Sequence, residues 1–412
     1  MSAAADAAPA EVLVVGGGIA GLEALLALRD LAEDRVSLTL LAPQPEFVYR
    51  PLLVDEPFSG EPAERHEIDA IANDLGAILV RSGLASIDPA GHRAVTTDGD
   101  EIAYDACVVC TGAKSRPAFE NECATTLRSW AEPPAIDEAI DAAAVHASKT
   151  LAFVIPPGVG WALPLYELAI LTNKRATDRG MAINVRIVST EARPLAIFGG
   201  KGSSAVAELL SSRGIEFIGG KAVGEAEAGL VVYPGGEPLD AGAVVALPLM
   251  EGPRIKGLPA DEGGFIPVDE FGEVTGAKDV YAAGDCTNFP IKQGGLGTQQ
   301  ADAIAELIAE RTGASVDPKP FRPVLRGKLF TDIDSLFLSA PIAGGGGEGE
   351  SDPDTLWWPS HKVAGKYLAP YLAGDLGHFW TTPPSSSVDV DVALPSEWHS
   401  QPMALDPIDP VR

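Results

Sequence analysis

The chain begins its ordered pattern with a short β-rich run, Glu11 to Val15, followed by Gly16-Gly17-Gly18-Ile19-Ala20-Gly21 and then by apolar residues at helical spacing from Leu22 to Leu31. A second apolar run, Val36 to Leu41, follows at once. Strands are predicted within Ala77 to Arg93 and over Ile102 to Cys110. An irregular stretch, Phe47 to Leu53, and a helix around Glu67 to Leu75 precede them. The chain is polar and helical from Thr126 to Val145, and the pattern then starts again. Leu151 to Ile155 reads as a strand, Pro156-Pro157-Gly158-Val159-Gly160 as its turn and Trp161 to about Arg179 as a helix. Asn184 to Ser189 is a strand closed by Glu191, Ala205 to Arg213 a helix and Ile215 to Ile218 a strand. A last strand ends in Tyr281-Ala282-Ala283-Gly284-Asp285, ahead of Gly294-Gly295-Leu296-Gly297 and a helix from Gln299 to Arg311.

Strand, glycine turn, helix and strand in that order are the parts of a dinucleotide-binding unit. The glycines permit a tight turn and close approach of the backbone to a pyrophosphate, and the helix N-terminus supplies N–H donors. The pattern therefore predicts an α/β fold with two Rossmann-like dinucleotide-binding domains and a small C-terminal region. The first domain covers 10–118 and resumes over 263–320, the second covers 119–262, and the C-terminal region covers 321–380. The tail 381–412, rich in Pro, Ser and Asp, is expected to be poorly ordered.

Composition narrows the function. With 412 residues, 46% of them hydrophobic, the chain can bury more than one core. Its 58 acidic against 30 basic residues give a formal charge of -28, a field that repels phosphate backbones, so nucleic acid is not an expected partner. No secretory pattern opens the chain and no run reaches the length of a membrane span, so a cytoplasmic location is expected. The cysteines are Cys107, Cys110, Cys123 and Cys286. Cys107 and Cys110 lie an odd number of positions apart on a buried strand and point to opposite faces, which excludes a bond between them. No cysteine and histidine set with metal-ligand spacing is present, and no metal is expected.

Three signatures stand in order: the turn Gly16 to Gly21, the strand ending Cys110-Thr111-Gly112-Ala113, and Tyr281 to Asp285. Together they resemble the FAD-dependent pyridine nucleotide-disulfide oxidoreductase superfamily, with its glutathione-reductase-like fold. Within it the chain looks most like the branch of type II NADH dehydrogenases, sulfide:quinone oxidoreductases and the flavocytochrome c sulfide dehydrogenase flavin subunit. The resemblance implies non-covalent FAD held by Gly16, Gly18, Ile19, Ala20, Gly21, Thr111, Gly112, Ala113, Gly284, Asp285 and Gly297. Arg50 and Pro51 belong to the segment that runs beside the flavin ring, and the stretch from Pro290 to Ala301 carries flavin and quinone contacts. Negative charge gathers near N1 and O2 of a reduced flavin, so a helix N-terminus aimed there, with Lys292 beside it, would stabilise the reduced state. Glu167 occupies the place of a glutamate that type II dehydrogenases carry near the nicotinamide. Gly158, Gly160 and Glu191 are the candidates for NAD(P)H, Glu191 through a ribose hydroxyl.

The pattern also departs from the family. The sulfide enzymes need a redox cysteine in the second unit and another after the last flavin motif, and this chain has no cysteine between Cys123 and Cys286 and none after Cys286. Pro156 and Pro157 remove two backbone donors from the second turn, which lacks a third glycine. Ala42 stands where the first unit expects a ribose-binding acid, with Glu46 as a substitute. Three readings stay open. In the first, electrons pass from NAD(P)H through FAD to a quinone or similar acceptor. In the second, a sulfur compound or protein carrier is the donor. In the third, the chain is a flavin-binding scaffold or redox sensor, in which Trp357-Trp358 is core or docking patch. The expected partners are a small-molecule donor and acceptor and a second copy in a homodimer. Type II dehydrogenases reach quinone through C-terminal amphipathic helices, and Lys362 to Leu372 has that character, so a peripheral contact at the inner membrane face is a further expectation.

Overall fold

The computed structural model describes residues 8–120, 124–126, 136–227, 229–342, 350–352, 355–374 and 380–381. Its first unit runs through β1 (Ala10–Val15), α1 (Ile19–Ala32), β2 (Val36–Leu41), β3 (Ile78–Val80) and β4 (Ala106–Val109). The second runs through β5 (Thr150–Ile155), α2 (Leu163–Asp178), β6 (Asn184–Ser189), α3 (Gly199–Ser212), β7 (Glu216–Ile218) and β8 (Ala243–Ala246). The chain then returns to the first unit with β9 (Val280–Ala282) and α4 (Gly294–Arg311).

Both units hold a five-stranded parallel sheet. The first has the order β9-β4-β1-β2-β3, and the second runs Thr125–Thr126, β8, β5, β6, β7. Strands covered on both faces read as continuous apolar runs, which is why β1, β4 and β5 are so plain in the sequence. A small antiparallel meander replaces a helix between β3 and β4 in the first unit (Leu84–Asp88, Arg93–Thr96 and Glu101–Ala103) and between β7 and β8 in the second (Ala222–Ala226, Gly229–Tyr233 and Glu237–Pro238). The stretch Ala77 to Arg93 is thus β3 plus part of a meander. Cys107 faces the cluster containing Leu13 and Val15, and Cys110 the cluster containing Val12 and Val14, so the two thiols do lie on opposite faces. Cys123 lies outside the described residues.

Helices start earlier than the sequence pattern suggests. α4 begins at Gly294, α3 at Gly199 and α1 at Ile19, so glycines expected in loops form first turns. Packing overrides their low helix propensity, and α1 against α4 is the most extensive contact between elements of the described structure. After α4, β10 (Val324–Leu329) and β11 (Leu336–Pro341) pair with Glu350–Asp352 in an antiparallel sheet. Residues 355–374 then run back across the first unit and end in the short helix α5 (Leu368–Leu372). Within this return lies Lys362 to Leu372, the stretch with amphipathic character, of which Val363 and Leu368 are buried in the first unit's core and Tyr367, Tyr371 and Leu372 pack on it. Trp357 is buried edge-on to Phe337 and donates from Nε1 to the His361 carbonyl, whereas Trp358 is 43% exposed. Among the described residues no helix is long and apolar enough to cross a membrane.

Candidate active site

The three signatures meet at one place. Gly16 turns out of β1 with φ +114°, and a Cβ there would lie 2.3 Å from the Cys110 carbonyl oxygen. A Cβ on Gly21 would lie 1.8 Å from the Gly16 carbonyl, so the turn closes only with glycine at both positions. Gly18 caps α1 with no side-chain hydrogen bond and nothing of the protein stands within 4 Å of its Cβ position. Ile19 and Ala20 form the first turn of α1. A Cβ on Gly284 would be 3.1 Å from that of Ala20, and one on Gly297 would be 3.1 Å from the Gly284 Cα. Gln300 Oε1 accepts from the Gly284 amide at 2.8 Å, fixing the Gly-Asp corner on α4. Thr111, Gly112 and Ala113 leave β4 beside this corner, Gly112 at φ +70°. Glycines that a Cβ would fill, around an uncapped helix N-terminus, fit the pyrophosphate of FAD.

The charges agree with that reading. Burial pushes the Asp285 carboxyl up, while Lys292 and Arg50 oppose the shift. Arg50 and Pro51 form a single 3₁₀ turn with Leu52. Lys292 is half-buried; its Nζ donates to the Thr287 carbonyl at 2.5 Å and lies 3.6 Å from the centre of the Phe265 ring. Burial lowers its pKa to about 8, with Asp285 the main opposing influence. The N-terminus of α4 is partly capped by Gln293, whose Oε1 accepts from Leu296 N at 2.8 Å. Cys286 is fully buried with Sγ 3.3 Å from the carbonyls of Val109 and Ala283, and burial pushes its thiol up to about 11, the profile of a packing residue.

In the second unit two of the candidates, Gly160 and Glu191, have contacts within the protein. A Cβ on Gly160 would lie 2.1 Å from the Pro290 carbonyl, so this glycine lets the second turn press on the flavin unit's loop. Gly158 turns with φ +87°. Glu191 accepts from the Tyr166 hydroxyl at 2.9 Å through Oε2 and from Ala196 N at 3.1 Å through Oε1, so both oxygens are occupied within the protein. Trp161 stands edge-on to Phe198, 5.9 Å between ring centres. Glu46 lies in the strand Glu46–Val48, 3.6 Å from Arg65, and Ala42 donates to the Val80 carbonyl.

Glu167 has a partner that the sequence did not suggest. It sits fully buried in α2, with Oε2 2.6 Å from Lys362 Nζ and Oε1 accepting from Phe330 N at 2.8 Å. Lys362 is itself buried and lies 4.2 Å from the centre of the Phe330 ring. Burial pushes the carboxyl up and the ammonium down, each partner opposing the shift of the other. Next to Lys362, Val363 N donates to the Tyr49 hydroxyl at 2.6 Å, and the Val363 side chain covers Gly294 at the start of α4. The pair therefore lies among the segments around Tyr49 and Gly294. Two hints lay in the sequence, the lone carboxylate in the apolar run of α2 and a lysine followed by Val363 and Ala364.

Comparison with known proteins agrees with the fold. The family model described as pyridine nucleotide-disulphide oxidoreductase matches residues 10–305. The sulfide-quinone reductase of Aquifex aeolicus is 25% identical over 367 residues, covering 80% of this chain and 84% of that protein. The ferredoxin–NAD(+) reductase subunit of the benzene 1,2-dioxygenase system of Pseudomonas putida is 25% identical over 324 residues, covering 72% and 74%. The crystal structure of the Aquifex aeolicus sulfide:quinone oxidoreductase superposes with a TM-score of 0.73 at 20% identity, covering 84% of this chain and 87% of that one. The chain belongs to the pyridine nucleotide-disulphide oxidoreductase family, a family of FAD-dependent oxidoreductases.

Proposed function

We propose that this protein passes electrons through FAD to a quinone-like acceptor, and that the buried Glu167–Lys362 pair hands that acceptor its proton. The pair is the observation that carries the reading. Bound FAD would supply the two-electron redox centre, with the phosphates held at the Gly16 turn and at Gly284. The protein's part is to hold a proton where reduction consumes one. Burial raises the proton affinity of Glu167 and lowers that of Lys362, which narrows the gap between two groups 2.6 Å apart. Phe330, its ring centre 4.2 Å from the Lys362 ammonium, gives an apolar setting that suits an aromatic ring acceptor. The name of the Aquifex aeolicus relative, a sulfide-quinone reductase, supports the same acceptor class.

The donor is a sulfur compound or a protein carrier rather than a nicotinamide nucleotide. The engaged Glu191 and the packed Gly160 favour this, as do Pro156 and Pro157. Oxidation of sulfide through a cysteine pair beside the flavin lacks its residues here. An NAD(P)H donor is the second reading, favoured by the open glycine turn at Gly158. Anaerobic mixing separates them. We expect NADH and NADPH to leave the flavin absorbance unchanged, and bleaching by either would transfer the donor role to the nucleotide. Chemically reduced protein should be reoxidised by a soluble quinone analogue. Glu167→Gln should slow that step by about tenfold or more, the scale of a lost general acid. Reduced flavin that ignores quinone would overturn the acceptor.

A further inference from the structure

A second buried carboxyl group faces the same C-terminal segment from the other side. Glu23, fully buried in α1, accepts from Tyr367 N at 2.9 Å through Oε1 and from Leu368 N at 2.7 Å through Oε2. The Lys366 backbone also contributes a hydrogen bond to it, and the side chain of Asp302 of α4 stands within hydrogen-bond reach. Asp302 Oδ1 is out of solvent with no hydrogen-bond partner. Two ionised carboxylates have only acceptors to offer, so a hydrogen bond between them requires one proton. Because both Glu23 oxygens already accept from amides, the proton belongs on Asp302. The fit is close, since a Cβ on Gly365 would lie 2.7 Å from Glu23 Oε2.

We propose that Glu23 and Asp302 share one proton and form a latch that holds residues 362–372 on α1 and α4, so that loss of this proton frees the segment bearing Lys362. Glu23 is a positioning residue in this account, acting on the acceptor only through Lys362, and its functional consequence rests on the role given to Lys362 above. The surroundings decide the direction. α1 also contributes Asp30 and α4 contributes Glu306, while the segment contributes Lys366 and Tyr367. Lys366 is the one cation acting on Asp302 in this set, and it is exposed. Burial pushes both carboxyl groups up, and Glu23 raises Asp302 further. A carboxyl whose affinity for protons is raised by docking favours the docked state while it is protonated. The latch is therefore tightest on the acid side and weakens as pH rises through the pair's ionisation.

Hydrogen exchange at the Tyr367 and Leu368 amides of the full-length flavin-loaded protein reads the latch directly. After correction for intrinsic exchange, protection in the wild type should fall toward alkaline pH. Asp302→Asn, whose amide keeps a donor toward Glu23 and cannot ionise, should stay protected over the same range. Glu23→Gln should exchange about tenfold faster or more at every pH, as expected when a charged carboxylate accepting from two amides is replaced by a neutral amide with one acceptor oxygen. Protection that is independent of pH in the wild type, or an alkaline loss that persists in Asp302→Asn, would overturn the latch. Quinone reoxidation measured on the same samples tests the other premise. Should the amides behave as stated while reoxidation fails to follow them, the latch stands and the role of Lys362 falls.

Discussion

At the scale of single residues the site is built from side chains whose ordinary charge states are strained by burial. Lys292 is the clearest case. Its ammonium is held by the Thr287 carbonyl and the face of Phe265, and burial brings its pKa to about 8. A base with a depressed pKa is cationic below that value and neutral above it, so any help it gives a negatively charged reduced cofactor fades as pH rises through about 8. The wild-type midpoint potential should therefore drop on the alkaline side by more than that of Lys292→Met. A cation worth about one pKa unit corresponds to a difference on the order of 30 mV for two electrons. Spectroelectrochemical titration at several pH values checks this. Parallel curves for the two proteins would remove Lys292 from the tuning of the cofactor.

At the scale of elements, the turn between β1 and α1 combines two roles that substitution can separate. Gly16 is needed by the fold itself, since its φ of +114° and the Cys110 carbonyl leave no room for a side chain. Gly18 has φ -95° and free space, so alanine there is harmless to the protein but crowds a phosphate at the helix N-terminus. Gly16→Ala should lower both thermal stability and flavin content, whereas Gly18→Ala should lower flavin content alone, read from the visible absorbance of the purified protein. A stable, fully yellow Gly18→Ala would mean that phosphate does not approach that amide. This turn was legible in the sequence because all its parts are local. So were β1, β4 and β5, whose apolar runs reflect burial on both faces. The starts of α3 and α4 were not, because packing forms first turns from glycine stretches that propensity assigns to loops. Nor could the sequence pair Glu167 with Lys362, 195 residues away, or Glu23 with Leu368, 345 residues away. Each carboxylate interrupts an apolar helix, which marks it as unusual, but only the return of residues 355–374 across the first unit supplies the partner.

At the scale of the whole molecule, charge and topology act together on what can reach the site. The interleaved first unit puts the C-terminal segment over the helices that carry the glycine signatures, so the proposed acceptor side draws on both ends of the chain. Around it the chain carries a formal charge of -28. Such a field slows the approach of anions and leaves neutral molecules unaffected, and salt weakens it over a Debye length of about 10 Å at 0.1 M. A quinone is neutral, whereas a nicotinamide nucleotide or ferricyanide is not. Reoxidation of the reduced protein by ferricyanide should therefore speed up markedly as ionic strength rises, while reoxidation by a neutral quinone analogue should hardly change. Stopped-flow rates across a salt series compare the two acceptors on one sample. Equal salt dependence would mean that the surface charge is remote from the path to the flavin, and the net charge would then carry no argument about which acceptor the protein admits.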